Sequence, residues 1–255
     1  MESALEVKKI NKSYMSRNRK VHAVKNVSFE IYEGECVGLV GESGCGKSTI
    51  AKIISHLESV DSGEIFLNGK DITDASGKTL REIYKSIQMV FQNPVDSFNP
   101  RLKLGESIME GMINHGVSRG IAKVKAGEYL KLCGLPKEFA DRYPHQVSGG
   151  ECQRASIARA IAIEPRLLIC DEVTSALDVT VQEQIVKLMK ELKEEMKMAY
   201  LFICHDIALV QEVCDRVLVM YKGQVIEEGS PDEIIKNPQN EYTKRLIDSV
   251  FEIPW

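Results

Sequence analysis

Apolar positions along this chain follow two rhythms. Residues 36–40, 87–91, 167–170 and 201–204 are short apolar runs of the kind that form strands buried on both faces. Val24, Val27, Phe29 and Ile31 fall near a period of two and lead into the first of these runs. Ile65-Phe66-Leu67 ends in Asn68-Gly69, and residues 217–221 and 224–228 flank Lys222-Gly223, so each pair reads as a hairpin. The other rhythm is helical. Ile50, Ile53, Ile54 and Leu57 recur at helical spacing, and Val181, Ile185, Leu188, Met189, Leu192 and Met196 mark one face of a long helix. Residues 104–145 read as helices, one of them stopped by Cys133-Gly134-Leu135-Pro136. A further helix is expected after Gly150, running to about residue 163 ahead of Pro165. Ser230-Pro231-Asp232-Glu233 is a capping box that opens a C-terminal helix. The plan is an α/β core, residues 1–92 and 163–229, interrupted by a helical insert at 93–162 and followed by a helical tail at 230–255.

Composition narrows the function classes. In 255 residues, 44% hydrophobic, there are 37 acidic and 33 basic side chains, a formal charge of −4. That balance gives no support for a nucleic-acid partner. No apolar run reaches the length of a membrane span and no signal peptide is expected at the N-terminus, so the chain reads as cytosolic, with any membrane role coming through a partner. The seven cysteines form no C-x-x-C pair and read as small buried thiols, and Cys204-His205 alone does not make a metal site.

The chemistry begins at Gly41-Glu42-Ser43-Gly44-Cys45-Gly46-Lys47-Ser48-Thr49, which spells G-x-x-x-x-G-K-S between a strand and a helix. Glycines let the backbone wrap and turn its N–H groups onto phosphate oxygens, and the helix N-terminus adds its dipole. Lys47 supplies charge for the β- and γ-phosphates and the Ser48 hydroxyl suits Mg²⁺. The strand at 87–91 runs into Gln92, that at 167–170 into Asp171-Glu172, and that at 201–204 into His205. If the four strands are parallel neighbours, all these groups meet at the carboxyl edge of one sheet, where such folds bind ligands. Asp171 then suits Mg²⁺ and Glu172 a general base. Taken singly, Gln92 reads as a loop residue and His205 as a structural histidine; their strand-end positions raise both. Val147-Ser148-Gly149-Gly150-Glu151 precedes another helix. A plain N-cap explains Ser148 but not two glycines, which suit a backbone approached by a second anion site.

Together these motifs resemble the ATP-binding subunit of an ATP-binding cassette (ABC) transporter, over essentially residues 5–230. Val147-Ser148-Gly149-Gly150-Glu151 is similar to that family's L-S-G-G-Q signature, with Val147 and Glu151 departing from it, and Ser175-Ala176-Leu177-Asp178 to its D-loop. Gln92 matches its Q-loop, His205 its switch histidine, and Tyr14 the aromatic that stacks on adenine, although an edge-strand aromatic would also fit there. The resemblance implies a P-loop NTPase core of mostly parallel sheet, an antiparallel β subdomain and a helical insert. It implies ATP and Mg²⁺ as cofactors, the metal held by Ser48, Gln92 and Asp171. It also implies head-to-tail pairing, each ATP lying between one phosphate loop and the partner's signature helix, with Asp178 communicating across the pair. The insert would receive a helix from a transmembrane permease at the cytoplasmic face, and an extracytoplasmic solute-binding protein would deliver cargo.

Met89-Val90-Phe91-Gln92-Asn93-Pro94, Phe98-Asn99-Pro100-Arg101, Tyr143-Pro144-His145-Gln146 and the tail Glu241-Tyr242-Thr243-Lys244-Arg245-Leu246 are similar to importers of oligopeptides, dipeptides and nickel or its chelates. The tail carries Asn240-Glu241 where that group usually has His-Pro. That resemblance implies a second ATPase subunit, a copy or a paralogue. No cysteine follows Cys214, so no iron–sulfur cluster is expected. The rival class is a soluble, non-transport ABC ATPase of repair, chromosome or translation type. Those carry a long coiled-coil insert or two cassettes, whereas this chain has one phosphate loop and no heptad run.

Overall fold

The computed structural model describes residues 2–16, 19–175 and 177–251. Two long strands, β1 (Ser3–Ser16) and β2 (Arg19–Tyr32), precede β3 (Cys36–Val40) and helix α1 (Lys47–Ile54). Then come β4 (Ser62–Leu67), β5 (Lys70–Asp71), α2 (Gly77–Ser86) and β6 (Ile87–Val90). Helices α3 (Leu104–Asn114), α4 (Arg119–Leu132) and α5 (Gly149–Ile161) follow, with 3₁₀ turns at Lys137–Asp141 and Pro144–Gln146. The chain returns through β7 (Leu167–Asp171), α6 (Val179–Met196), β8 (Ala199–Cys204), α7 (Ile207–Val213), β9 (Arg216–Tyr221) and β10 (Gln224–Gly229). It ends in α8 (Pro231–Lys236) and α9 (Glu241–Phe251).

The central sheet has the order β10-β9-β3-β8-β7-β6. Strands β9, β3, β8, β7 and β6 run parallel, and only β10 is antiparallel, as the return limb of a hairpin. Strict alternation explains how this sheet is covered on both sides. Cys36, Val40, Leu168, Cys170, Tyr200, Phe202, Val217 and Val219 face one core with the helical insert and α6. Val37, Leu39, Leu167, Ile169, Leu201, Ile203, Leu218 and Met220 face the other, with α1 and the second sheet. That second sheet is antiparallel, of order β2-β1-β4-β5. The fold is thus the α/β architecture the motifs imply, a mostly parallel core with an antiparallel β subdomain and inserted helices. All seven cysteines are buried free thiols, and no metal-binding cluster occurs among the described residues.

Several local readings are corrected. Leu57 belongs to no helix. α1 stops at Ile54, His56 takes a left-handed φ of 55°, and Leu57 is left 54% exposed. The uneven step from Val24 to Val27 is a bulge: Asn26, at φ 50°, resets the strand so that both flanking valines stay buried. The signature helix begins at Gly149 and ends at Ile161, two residues short of the expected end. The tail is two helices, because α8 stops before Asn237-Pro238 and α9 restarts three residues later. Helices α2, with Leu80, Ile83 and Tyr84 at helical spacing, and α7, only seven residues long, have no counterpart in the sequence reading.

Leu192 on α6 is fully buried, so Leu192→Ala is expected to cost about 2–5 kcal/mol in urea unfolding. Leu57→Ala should change stability by no more than about 0.5 kcal/mol. A comparable loss at both positions would contradict the end of α1 at Ile54.

Candidate functional site

The phosphate loop leaves β3 at Val40 and closes on α1 at Lys47. Its shape is set by contacts from outside it. Gly41 has φ 151°, and a β-carbon there would lie 2.2 Å from the Met220 carbonyl oxygen. Gly46, the N-cap of α1, has φ 116°, and a β-carbon would lie 2.2 Å from the Ala23 carbonyl oxygen. Only glycine fits either position. Glu42, Ser43 and Gly44 form the exposed tip, and Gly44 has φ 80°. Cys45 turns inward, donates to the Glu42 carbonyl (3.3 Å), and accepts at its own carbonyl from Gly223 N–H (2.9 Å). Lys47 is 4% exposed; its ammonium donates to the carbonyls of Gly41 (2.6 Å) and Glu42 (3.1 Å). Ser48 and Thr49 follow in the first turn of α1, where the helix dipole is positive.

The parallel register brings the other strand ends alongside. Val40 lies opposite Cys204, Val90 opposite Cys170, and Asp171 opposite Ile203. Gln92, Asp171-Glu172 and His205 therefore emerge on the same edge as the loop. The Ser48 hydroxyl donates to Asp171 Oδ1 at 3.2 Å. Burial pushes the Asp171 carboxyl above its ordinary range, with the Ser48 hydrogen bond opposing that and the Glu172 charge adding to it. Glu172 sits at φ 50°, a left-handed conformation that a long side chain rarely adopts, while its N–H still bonds to Ile203 O (2.9 Å). That twist swings its carboxylate between two neighbours. Gln92 Nε2 donates to Glu172 Oε2 at 2.7 Å, and His205 Nδ1 lies 3.9 Å from Oε1. Gln92 Nε2 also donates to Ser175 Oγ (3.2 Å), which in turn donates to the Glu172 carbonyl (3.0 Å). His205 lies between β8 and the Asp206-capped start of α7 and is largely exposed.

The signature segment lies elsewhere on the chain. Ser148 caps α5, its hydroxyl accepting from Glu151 N–H (3.3 Å) while the Glu151 carboxylate accepts from Ser148 N–H (2.8 Å). This reciprocal box holds the Glu151 carboxyl below its ordinary value. A β-carbon on Gly150 would lie 2.6 Å from Val181 Cγ1, so packing alone demands that glycine. Gly149 has only Leu177 Cδ2, at 4.0 Å, near such a carbon, so packing leaves it unexplained. No hydrogen bond among the described residues links Ser148, Gly149, Gly150 or Glu151 to residues 41–49.

Asp178 caps α6, its Oδ1 accepting from Val181 N–H at 3.0 Å, and Ala176 of the same motif lies outside the described residues. Tyr14 lies on β1 opposite Val21, partly exposed, with the Lys12 ammonium 5.5 Å from its ring centre. Sequence reasoning missed Tyr242, whose hydroxyl accepts from Glu42 N–H at 3.0 Å, and Gly223, which holds Cys45. Both contacts join residues far apart in the chain, and no local pattern encodes them. Ser175 was read only as part of the D-loop, without its bond to Gln92.

Comparison with known proteins bears on what this edge does. The family model for ABC transporters matches residues 24–175. The oligopeptide transport ATP-binding protein OppF of Bacillus subtilis (strain 168) is 43% identical over 98% of this chain and 83% of its own length. The glutathione import ATP-binding protein GsiA of Pectobacterium atrosepticum is 45% identical over 91% of this chain, which spans 37% of that protein. Among solved structures, the dimeric ABC cassette MJ0796, bound to ADP and Pi after hydrolysis, superposes with a TM-score of 0.81 at 32% identity, over 89% of this chain and 98% of that one. With more than half of its length matched by that family model, and the phosphate loop, Asp171-Glu172 and His205 on one sheet edge, this chain belongs to the ABC transporter family and is an ATPase of it.

Proposed function

We propose that this chain powers an importer of peptides by binding and hydrolysing ATP between two head-to-tail cassettes. The observation that carries the reading is the meeting of Gln92, Glu172 and His205 beside the phosphate loop. The triphosphate lies on the N–H groups of Ser43, Gly44 and Gly46, with Lys47 keeping the Gly41 carbonyl and turning its remaining donors to the β- and γ-phosphates. Tyr14 faces the adenine. Water attacks the γ-phosphorus, Glu172 accepts its proton, and the bond to the β-γ bridging oxygen breaks. The charge that develops on the ADP oxygen falls to Lys47 and the α1 dipole. His205 lies against the γ-phosphate and orients the water.

The oxygen donors Ser48 Oγ and Asp171 Oδ1, 3.2 Å apart, fit a hard divalent cation, and the buried Asp171 carboxyl gains a counter-charge from one. With the Gln92 side-chain oxygen they would hold Mg²⁺, which would supply charge neutralisation for the phosphates.

The signature tip supports pairing. Ser148 and Gly149 present a helix N-terminus with no bond to their own chain's phosphate loop, so a second copy or a paralogue would complete each site. The similar cassette of known structure is a dimer. Asp178, at the α6 N-terminus, would lie near the seam. A cleft of about 570 Å³ between α2, α3 and α5, lined by Arg81, Tyr84, Glu110 and Arg159, suits a helix from a membrane permease. No helix among the described residues is long and apolar enough to cross a membrane, so work at the cytoplasmic face depends on that permease. A solute-binding protein outside would supply the cargo. The relatives are named for oligopeptide and glutathione transport, and glutathione is itself a tripeptide, so peptides are the cargo class proposed.

Three outcomes test this reading. Glu172→Gln should keep ATP affinity, lower turnover about 10²–10⁴-fold and let an ATP-bound dimer accumulate in size-exclusion chromatography. Unchanged turnover would remove Glu172 as the base. Ser148→Arg subunits mixed with normal ones should depress the normal subunits' hydrolysis, and additive rates at every ratio would count against the shared site. The third outcome follows from Asp171, whose raised pKa means that ionising it opposes folding. That penalty is absent below the ordinary carboxylate value and sets in as the pH rises towards the folded one. Asp171→Asn should therefore raise the Tm of nucleotide-free, magnesium-free protein at pH 7. The gain should fade as the pH approaches about 4. A lower Tm at neutral pH would contradict the burial of an unpaired charge.

A further inference from the structure

The C-terminal tail reaches the phosphate loop along a chain of specific contacts. The Glu227 carboxylate on β10 accepts from Gln239 N–H (2.7 Å) with one oxygen and from Asn240 N–H (3.0 Å) with the other. Asn240 Oδ1 accepts from Tyr242 N–H at 2.9 Å, capping the start of α9. Tyr242 is thereby turned inward. It is 4% exposed, and its ring stacks on Tyr221 with centres 4.1 Å apart. Its hydroxyl oxygen accepts from the backbone N–H of Glu42 at 3.0 Å.

The peptide unit that receives this contact is a special one. The N–H of Glu42 and the carbonyl of Gly41 belong to the same planar group, so fixing one end fixes the other. The Gly41 carbonyl accepts from the Lys47 ammonium at 2.6 Å. Tyr242 therefore holds the plane whose far end holds the phosphate-binding lysine. Gly41 cannot supply that restraint itself, since glycine leaves the backbone freer than any other residue. Cys45, nearer the helix, is fixed separately by Gly223.

We propose that Tyr242 is a positioning residue of the ATP site, and that the tail from Glu227 to Tyr242 is a strut orienting the 41–42 peptide and, through it, Lys47. The inference rests on the reading of residues 41–49 as the ATP phosphate cradle. A purely structural role would reside in the buried ring and its stacking on Tyr221. The positioning role resides in the hydroxyl oxygen, which Tyr242→Phe removes while leaving the ring.

The test uses the full chain and a fluorescent ATP analogue, comparing the unaltered protein with Tyr242→Phe, Glu227→Gln and Lys47→Ala, together with steady-state hydrolysis and thermal unfolding. Tyr242→Phe should raise the Kd for the nucleotide and the KM for ATP about 3- to 10-fold, the range expected for losing one such hydrogen bond. Its kcat should stay within about twofold and its nucleotide-free Tm within about 4 °C. Glu227→Gln, remote from the loop, should shift Kd the same way. The double variant should fall short of the product of the two single effects, because both act through one strut. Unaltered affinity in Tyr242→Phe, with binding lost in Lys47→Ala, would overturn the strut and leave the phosphate loop assigned. Full multiplicativity of the two variants would also overturn it. Unaltered affinity in Lys47→Ala would overturn the loop assignment, and the strut with it.

Discussion

Two backbone carbonyls close on the phosphate loop, and the rest of the site depends on that closure. The Met220 oxygen meets the loop at Gly41 and the Ala23 oxygen meets it at Gly46, each so near that no side chain fits. Gly223, in the turn between β9 and β10, donates to Cys45 and accepts from Lys25, tying the loop to the antiparallel sheet as well. The G-x-x-x-x-G spacing is thus a record of tertiary packing as much as of phosphate binding. Once the loop is closed, Lys47 buries its stem, and its ammonium donates to the loop's own carbonyls. An ammonium has three donors, so the Gly41 carbonyl can hold the lysine in place while another donor turns to a ligand richer in negative charge.

The parallel sheet does for the other groups what the carbonyls do for the loop. With β6, β7, β8 and β3 in register, each strand reaches the same edge at the same height, and the residues at or within two positions of each strand end are the ones that can act. Glu172 adds a local distortion. Its positive φ costs about 1–3 kcal/mol, and a strand-end acid with ordinary geometry would have been cheaper. The distortion is held by Glu172 N–H on Ile203 and by Ser175 on the Glu172 carbonyl. Its effect is to bring one carboxylate within reach of Gln92 on one side and His205 on the other.

What the sequence made legible was local or periodic. The loop, both hairpins, the capping box at Ser230 and the four buried strands each announce themselves within a few residues. Their parallel adjacency was an inference from the chemistry at their ends. What stayed illegible was set by distant atoms. Leu57 continues a helical spacing that the backbone abandons at Ile54. Asn26 hides a bulge inside an apolar alternation. Gly150 looks like a phosphate contact yet is required by Val181, a residue thirty-one positions away. Tyr242 was visible in the tail as a matter of resemblance, while its hydrogen bond to Glu42 crosses the whole chain. Asp178 and Ser148 show the converse: their capping roles are plain in the structure, and a cap leaves the residue where a second function would need it.

The charge of the chain carries a last lesson about binding a polyanion. A net charge of −4 offers no attraction for a triphosphate, and two acids, Glu42 and Glu151, sit at the very tips that would receive it. Nothing in a charge count distinguishes this from a site that repels phosphate. The structure resolves the conflict through direction. Glu151 turns its carboxylate back onto Ser148 N–H, where the helix end already offsets its charge, and leaves Gly149 uncovered on the other flank. Glu42 contributes its backbone to the loop while its side chain stays on the exposed tip. Attraction at the loop then comes from oriented N–H groups, the α1 dipole and one buried lysine, all short-ranged and fixed by the fold.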